Sequence, residues 1–332
     1  MKPRIVLGFS GGVDSAVAAR LLAIHGWDVR CVYLETGAGE GEYARESAHR
    51  MGLPFEAIDA REALEREVCA PFEAAYLAGA TPSPCVLCNR RVKLKFLCEA
   101  ADALGIERVA TGHYASARAG AIFRGRPEND QSYMLCLVTR EQAGRLVLPL
   151  GGYIKREVRA MAADFGLIQA EKPDSMEICF IRDGDFAGWI ERRGRAPGEG
   201  ALIYNGECVG THGGVHRYTL GQRRGLGFAA GRRVFVSEIH PDTNEVVLSD
   251  GNGLYMTHIN TGKANWLIAP PRDWFRCRVR VRHSRALDPA TARAMPDGTL
   301  DITFDAPVRS PCPGQAAALY AGDMLIAGGI IV

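Results

Sequence analysis

The chain has 332 residues, of which 47% are hydrophobic and 23% are charged, and its formal net charge at pH 7 is +2. The length suits two or three domains, and the nearly balanced charge excludes RNA binding through overall basicity, so an RNA partner would need a local patch. No apolar run of about 20 residues or export signal is present, so we expect a cytoplasmic protein with reduced cysteines. Of the ten cysteines, Cys98, Cys136 and Cys277 are predicted to be buried.

The first predicted elements in chain order are a strand, a helix and a second strand, which together form a βαβ unit. The strand is a short apolar run that ends in glycine, and the helix is rich in alanine and leucine and stops at Gly26. The predicted elements of the first half are residues 4–10, 15–25, 28–35, 42–51 and 107–115. Because ligands of parallel sheets bind beyond the carboxyl ends of the strands, we expect the site at Gly8–Ser15 and Thr111–Tyr114.

The turn after the first strand reads GFSGGVDS, which fits neither the Walker loop nor the G-x-G-x-x-G pattern. Gly11 and Gly12 allow the backbone to approach a phosphate, and Ser10 and Ser15 supply hydroxyl groups. Asp14 repels a phosphate directly, so it is better explained as a magnesium ligand or a helix cap. From these residues alone, an ordinary strand–helix turn fits equally well.

The order S-G-G-x-D-S directly after a first strand resembles the pyrophosphate loop of the ATP pyrophosphatases. Enzymes of that superfamily cleave ATP between the α and β phosphates and adenylate a carbonyl or carboxyl oxygen. The resemblance implies ATP and Mg²⁺ as cofactors.

The stretch TPSPCVLCNRR carries two cysteines at a predicted helix start. If Pro84 opens the helix, Cys85 and Cys88 share one face of its first turn. The helix N-terminus, together with Arg90 and Arg91, is then expected to lower the pKa of a thiol. Zinc is weakly indicated because no second pair follows, and a thioredoxin-type role is weak because the pair is far from the first strand–helix junction. Two partly buried structural cysteines remain an alternative.

Cys179 is the other cysteine of interest. Its neighbours Ile178, Phe180 and Ile181 form a short apolar run. That pattern alone predicts a cysteine buried in a strand.

From about residue 186, glycine-punctuated short strands replace the helical spacing, and residues 195–200 are a predicted joint. Residues 233–249 read as a hairpin with a polar turn. Strands predicted at 300–304, 317–321 and 324–332 fit a small antiparallel barrel. The loop 214–227 contains Arg217, Arg223 and Arg224, which suit either a phosphate-binding loop or a solvated turn.

The segment RCRVRVRH, residues 276–283, alternates arginine with apolar residues. In a strand, the four arginines would project to one face and form a track for phosphates. A solvated edge strand is the alternative. The arginines are Arg276, Arg278, Arg280 and Arg282.

The chain as a whole resembles the bacterial tRNA-specific 2-thiouridylases, which place sulfur on the wobble uridine of certain tRNAs. The blocks that carry the resemblance occur in this order: GFSGGVDS, TPSPCVLCNRRVKLKFL, ATGHYA, NDQSYML, PDSMEICFI, HRYTLGQRRGLG and SPCPGQAAALYAGDMLIAGGII. The resemblance implies an α/β fold with an N-terminal parallel-sheet ATP-pyrophosphatase domain at 1–190. A central tRNA-binding domain at 191–255 and a C-terminal antiparallel β-barrel at 256–332 are implied to follow.

The resemblance also implies site residues. Catalysis is implied for Asp14, for Cys88 as the nucleophile-type cysteine and for Cys179 as the persulfide carrier. The implied ATP-binding residues are Gly8, Phe9, Ser10, Gly11, Gly12, Val13, Asp14, Ser15, Leu34 and Gly112. The implied tRNA-binding residues are Ser83, Pro84, Cys85, His113, Asn129, Asp130, Gln131, Arg280, Val281 and Gln315. For His113, a capping or core role is the alternative.

Cys85 departs from the family pattern, because better-known members have an acid at this position. With Cys88 and Cys179 it makes three thiols, which can hold a 4Fe–4S cluster with one iron left open to carry sulfide. The alternative is persulfide chemistry in which Cys85 takes no part.

The implied mechanism begins with adenylation of the uridine O2, which releases pyrophosphate. Sulfur from a Cys179 persulfide or a cluster-bound sulfide then attacks C2, and AMP departs. In the persulfide route a Cys88–Cys179 disulfide is left to be reduced. The expected partners are the anticodon stem-loop of tRNA and a sulfur donor protein or sulfide, and the chain is expected to act as a monomer without a membrane.

Two rival functions follow from the same residues. A small-molecule ligase of the same ATP-pyrophosphatase class would explain the glycine turn but neither Cys88 nor Cys179. A non-catalytic RNA-binding protein with a relic nucleotide fold is disfavoured by the intact glycine turn.

Overall fold

The computed structural model of the chain describes residues 2–171, 178–283 and 287–332. The strands of the first half are β1 (Arg4–Gly8), β2 (Asp28–Glu35), β3 (Phe55–Asp59), β4 (Arg108–Ala110), β5 (Ala115–Arg118), β6 (Ala121–Arg124) and β7 (Leu146–Val147). The helices are α1 (Val13–Ile24), α2 (Gly41–Arg50), α3 (Arg61–Leu64), α4 (Ala70–Leu77), α5 (Pro84–Cys88), α6 (Leu94–Ala103), α7 (Arg140–Arg145), α8 (Lys155–Asp164) and α9 (Phe186–Arg192). None of these helices is long and apolar enough to cross a bilayer.

A parallel sheet with the strand order β3-β2-β1-β4-β7 organises the first half. The central strand β1 is apolar because both of its faces are covered: Leu7 packs with α1 and α8 on one side, and Val6 packs with α6 on the other. The predicted βαβ unit is confirmed. The first strand ends at Gly8, earlier than predicted, because the backbone turns at Gly11, where φ is +75°.

The helix that carries the C-x-x-C pair begins at Pro84, as predicted. Proline suits this position because its missing N–H would have no partner in the first helical turn. Residues 89–93 continue the helix as a wider π-helical turn, and α6 follows directly.

The second half is built from short strands, as predicted. The strands of the central region are β8 (Gly200–Tyr204), β9 (Glu207–His212), β10 (Phe235–His240) and β11 (Glu245–Ser249). They form a sheet with the order β10-β11-β8-β9, in which β10 and β11 are the predicted hairpin. The strands of the C-terminal region are β12 (Tyr255–Thr261), β13 (Asn265–Trp266), β14 (Phe275–Arg280), β15 (Asp288–Ala294), β16 (Leu300–Arg309), β17 (Ala316–Ala321) and β18 (Met324–Ile330).

The C-terminal strands form an antiparallel sheet with the order β12-β16-β15-β14-β17-β18-β6-β5, and β13 pairs with β18. The hairpin β5–β6 comes from the first half of the chain and extends this sheet through Leu325 and Ile122. One hydrophobic core runs from Val6 of the parallel sheet to Tyr320 of the C-terminal sheet. The two sheets therefore pack together directly, which the sequence did not predict. The boundaries 1–190, 191–255 and 256–332 stay a prediction.

Candidate active site

The glycine turn connects β1 to α1. Gly11 lies so close to α2 that a Cβ atom there would be 3.0 Å from the Cα and Cβ of Ala44. Gly12 is the N-cap of α1 and supplies no side-chain cap. The first-turn amides of α1 therefore suit an anion, because helix N-termini attract negative charge.

The two serines of the turn form hydrogen bonds within it. Ser10 Oγ accepts from the backbone N–H of Gly12 at 3.3 Å, and Ser15 Oγ donates to the carbonyl of Gly12 at 2.9 Å. Phe9 and Val13 are buried, so only their backbones can face a ligand. Leu34 lies half-buried near the carboxyl end of β2, next to the same edge of the sheet.

Asp14 lies within the first turn of α1, whose N-cap is Gly12 with no side-chain cap, so its interpretation as the helix cap is wrong. Lys155 Nζ lies 2.7 Å from each of its carboxylate oxygens, and the hydroxyl of Tyr114 donates to its Oδ1 at 2.6 Å. Gly112 packs tightly against the same residue, since a Cβ atom there would be 3.2 Å from the Asp14 carbonyl carbon. The sequence reasoning missed Lys155, whereas it placed Thr111–Tyr114 at this edge of the sheet without giving Tyr114 a role.

Cys88 is buried at the end of α5, and the pKa of its thiol differs from the prediction. Burial raises the pKa of its thiol to about 11, and Lys93 only partly offsets this effect. For Cys88, the predicted lowering of the pKa by the helix start and two arginines is therefore wrong. Arg91 lies 3.4 Å from Glu67, with which it forms an ion pair.

Cys179 is exposed and lies in a turn, so its predicted burial in a strand is also wrong. The turn is closed by a hydrogen bond from the Ile181 N–H to the Ile178 carbonyl at 2.8 Å. Phe180 anchors it, because its ring packs 5.4 Å from that of Phe72 and belongs to the hydrophobic cluster around Cys88. Residues 173–177 of the same block lie outside the described residues.

Lys93 links these thiols, although the sequence did not single it out. Its ammonium interacts electrostatically with Cys88, Cys85 and Cys179. Burial opposes the charge on Lys93, but the three thiols raise its pKa above the ordinary value. Lys93 keeps solvent-accessible surface although many protein atoms surround it. The structure thus brings Cys88 and Cys179 to one cation.

Both cysteines are free thiols, and so is Cys85, which is exposed. In the described ranges, no three side chains of His, Cys, Asp or Glu are grouped in a way that could hold a metal ion. The three thiols therefore do not fit a 4Fe–4S cluster in this structure. Among the other cysteines, Cys136 and Cys277 are buried as predicted, whereas Cys98 is only partly buried.

The segment before Cys85 rests on the C-terminal sheet. The Ser83 hydroxyl donates to Gln315 Oε1 at 3.1 Å, and Gln315 Nε2 donates to the carbonyl of Thr81 at 2.8 Å. Pro84 is buried at the start of α5. Gln315 therefore positions the backbone that presents the cysteines.

His113 lies close enough to Lys93 for the two side chains to interact electrostatically. Burial lowers the pKa of His113 to about 3, and the charge of Lys93 acts in the same direction. The ring is neutral at physiological pH, and its Nδ1 is 2.7 Å from the hydroxyl of Thr111. A neutral imidazole can donate one hydrogen bond and accept another.

The four arginines predicted as one phosphate track have separate surroundings. Arg276 forms an ion pair with Asp305 at 2.6 Å, and Arg282 donates to the carbonyl of Ser310 at 2.9 Å. Arg280 is buried, like its neighbour Val281. Arg278 is exposed. A continuous track of four guanidinium groups is therefore wrong for this structure.

The remaining predicted RNA contacts form a segment that faces the protein. Asp130 is buried and forms an ion pair with Arg280, while Asn129 and Gln131 accept hydrogen bonds from backbone N–H groups. In the loop 214–227, Arg223 and Arg224 are exposed, and Arg217 forms an ion pair with Glu191. The roles of these residues in RNA binding stay predictions.

Comparison with known proteins identifies the family. A family model described as "tRNA methyl transferase HUP domain" matches residues 3–183, more than half of the chain. The tRNA-specific 2-thiouridylase MnmA of Syntrophotalea carbinolica is 39% identical to this chain over 346 aligned positions, which cover 98% of each protein. The chain belongs to the tRNA-specific 2-thiouridylase family.

Other members of the 2-thiouridylase family match over the same extent. The protein of Carboxydothermus hydrogenoformans is 36% identical and covers 99% of this chain and 98% of its own, and that of Thermobifida fusca is 38% identical, with 100% and 96% covered. Models described as "tRNA methyl transferase PRC-barrel domain" and "Aminomethyltransferase beta-barrel domain" match residues 190–250 and 256–331. The resemblance and the fold class predicted from the sequence are confirmed.

Among solved structures, NMN synthetase from Francisella tularensis aligns with a TM-score of 0.36 and 18% identity, covering 52% of this chain and 67% of its own. That similarity is too low to add to the family assignment, which rests on the full-length relatives.

Proposed function

We propose that the chain uses ATP to replace the O2 oxygen of the tRNA wobble uridine with sulfur. The observation that carries the proposal is the electrostatic interaction of one side chain, Lys93, with both Cys88 and Cys179. The glycine turn and Asp14 lie beyond the carboxyl end of β1 in the same half of the chain. An activating site and a thiol pair in one protein suit a reaction in which ATP activates an oxygen that sulfur then displaces.

The words "methyl transferase" in two of the family-model descriptions differ from the name of the relatives. A methyl transfer leaves no task for two thiols beside a lysine, and it does not use a loop that binds the phosphates of ATP. Thiolation uses both features. We therefore favour sulfur transfer.

ATP fits the glycine turn, because the uncapped start of α1 and the close approach at Gly11 suit the binding of phosphates. Asp14 would hold Mg²⁺ together with phosphate oxygens, since Mg²⁺ commonly binds one carboxylate and substrate phosphates. When bound, Mg²⁺ would neutralise charge on the departing pyrophosphate. Lys155, whose ammonium contacts Asp14, can add positive charge at the same place.

The sulfur step balances as a persulfide transfer. The outer sulfur of a Cys179 persulfide attacks C2 of the adenylated uridine, and AMP leaves with the former O2 oxygen. The Cys88 thiolate then attacks the sulfur of Cys179, so that the sulfur–sulfur bond of the persulfide breaks and the electron pair stays on the new thiouridine. The Cys88–Cys179 disulfide is afterwards reduced to two thiols by an external thiol reductant.

Lys93 assists this sequence by its charge. Its charge acts to lower the pKa of both Cys88 and Cys179, whereas desolvation by the surrounding protein has the larger effect and raises both pKa values, even though Cys179 keeps exposed surface. Only thiolates act as nucleophiles, so a cation that acts on both sulfurs favours their reaction. Because the three cysteines do not fit a cluster here, we assign no step to iron. A donor protein or sulfide as the sulfur source, and action as a monomer in the cytoplasm, stay predictions.

The test is thiolation of a tRNA transcript with ATP and a persulfide donor, measured as 2-thiouridine by mass spectrometry and as pyrophosphate released. Cys88→Ser and Cys179→Ser should each abolish 2-thiouridine and leave tRNA-dependent pyrophosphate release intact. Cys208→Ser is the matched control, because Cys208 is exposed on β9. Its activity should equal that of the wild type.

Substantial 2-thiouridine from either the Cys88 or the Cys179 variant would refute the assigned roles. Pyrophosphate release that needs a small carboxylate and no tRNA would instead support the ligase alternative.

A further inference from the structure

Asp130 and Arg280 form an ion pair that excludes solvent. Arg280 Nη1 lies 3.0 Å from Asp130 Oδ2, and the two side chains are 2% and 1% exposed. Arg280 is the last residue of β14 in the C-terminal sheet, whereas Asp130 belongs to the first half of the chain. The pair therefore joins the two halves. Removing one partner would leave a buried charge uncompensated, so each partner fixes the position of the other.

The carboxylate of Asp130 also accepts hydrogen bonds from the loop around it. Its Oδ1 accepts from the backbone N–H groups of Gly125 and Ser132, each at 3.0 Å. Its Oδ2 also accepts from Arg124 Nε at 3.3 Å. This carboxylate consequently determines the backbone path of residues 125–132.

The residues on either side of the buried acid each reach the nucleotide site. Asn129 Oδ1 accepts from the backbone N–H of Lys155 at 3.0 Å. Lys155 is the first residue of α8, and its side-chain ammonium contacts Asp14. Gln131 Oε1 accepts from the backbone N–H of Tyr114 at 3.0 Å, and the hydroxyl of Tyr114 donates to Asp14. Two chains of hydrogen bonds thus start in one tripeptide and end on one carboxylate.

We propose that Arg280 is a positioning residue for ATP binding, which acts through Asp130 on Lys155, Tyr114 and Asp14. This role differs from the phosphate contact that the sequence suggested for Arg280. The positioning role deepens the proposed function. It rests on that function only for the reaction in which ATP is consumed, because ATP binding can be measured separately from thiolation.

Arg278 provides a matched control on the same strand. It lies two residues before Arg280, so both side chains leave β14 on the same face. Arg278 is exposed, whereas Arg280 is buried. The same substitution at the two positions therefore separates a positioning role from a surface charge.

The experiment compares Arg280→Met and Arg278→Met in the full chain. ATP affinity is measured by calorimetry, and tRNA affinity by filter binding at fixed salt. Arg280→Met should weaken ATP binding about tenfold and change tRNA affinity by less than about threefold. Arg278→Met should leave ATP binding unchanged and weaken tRNA binding.

Two further variants keep the test informative if thermal unfolding shows that Arg280→Met is poorly folded. Arg280→Lys preserves the charge opposite Asp130 and should recover part of the ATP affinity. Asn129→Ala removes one chain of hydrogen bonds without leaving a buried charge, and it should also weaken ATP binding.

Unchanged ATP affinity in a folded Arg280→Met variant, or unchanged affinity in Asn129→Ala, would overturn the positioning role. A wild type that binds ATP but thiolates no tRNA would refute the proposed function and leave the comparison of the two arginines valid.

Discussion

The glycine turn and the arginine strand were both interpreted as sites for anions, and they differ in how their donors are supplied. In the turn, the donors are backbone amides whose direction follows from the path of Gly11 and Gly12 into α1. On β14, the donors are guanidinium groups on flexible side chains, and Arg276 and Arg280 are already paired with Asp305 and Asp130. A local backbone motif thus keeps its donors available for an anion in the folded protein. A charged side chain is available for an anion only if no tertiary neighbour already pairs with it.

The largest expected effect comes from breaking the backbone motif. Gly11→Ala places a side chain at φ +75° and within 3.0 Å of Ala44, so the turn must shift. A strain of about 1–3 kcal/mol at this position should weaken ATP binding by about tenfold to a hundredfold, as measured by calorimetry.

Gly26→Ala is the control for Gly11→Ala, because its φ is +89° but no atom lies within 4 Å of the added Cβ. It should lower thermal stability and leave ATP affinity unchanged. Equal losses of ATP affinity in both variants would mean that the turn has no special relation to the nucleotide.

Lys93 extends the comparison, because its electrostatic effect on the thiols depends on its tertiary neighbours and was not indicated by its position in the sequence. Burial and Lys93 act in opposite directions on the pKa of Cys88, which is raised to about 11. Lys93→Met removes the lowering effect and so raises the pKa of the thiol, and the thiolate fraction at pH 8 should fall about tenfold for each unit by which that pKa rises. The measurement is the rate of alkylation of Cys88 and Cys179 by iodoacetamide between pH 7 and pH 10, followed by peptide mass spectrometry.

For the wild type, the alkylation rate of Cys88 should rise with pH throughout that range, because a thiol whose pKa is about 11 is still mostly protonated at pH 10. Lys95→Met is the control, since Lys95 is exposed and lies 4.0 Å from Glu99. A Lys93→Met profile that coincides with the wild-type profile would remove Lys93 from the thiol chemistry.

The smallest expected effect separates two arginines of the same strand. Arg278→Ala should weaken tRNA binding by a few-fold and reduce the slope of log K against log salt by about one. Arg276→Ala should change the slope less, because Arg276 already neutralises Asp305. Equal slopes for both variants and the wild type would exclude this face of β14 from the RNA interface.

The elements of the first half could be predicted because their signals are local. An apolar run ending in glycine, an alanine-rich helix and a proline before the C-x-x-C pair each specify a strand or a helix within a few residues. The structure moves the boundaries of the first four elements by no more than two residues, whereas the strand predicted at 107–115 is shorter and ends at Ala110. The hairpin β10–β11 was predicted for the same reason.

The environment of the thiols could not be predicted in the same way. Cys179 has an apolar sequence context, yet the turn at 178–181 exposes it while Phe180 and Ile181 pack inward. The pKa of Cys88 follows from its burial and from Lys93, which lies on the following π-helical turn. Burial depends on segments about a hundred residues apart, and no short pattern records it.

The sequence by itself determined the family, the parallel sheet, the glycine turn and the identity of the cysteines, because motifs and periodicity are local or survive as ordered blocks. Only the tertiary structure decided that Asp14 pairs with Lys155, that Lys93 lies among the thiols, and that Arg280 is buried against Asp130. The physical reason is that electrostatic energy depends on distance and on the exclusion of water. Both are set by which distant segments the fold brings together.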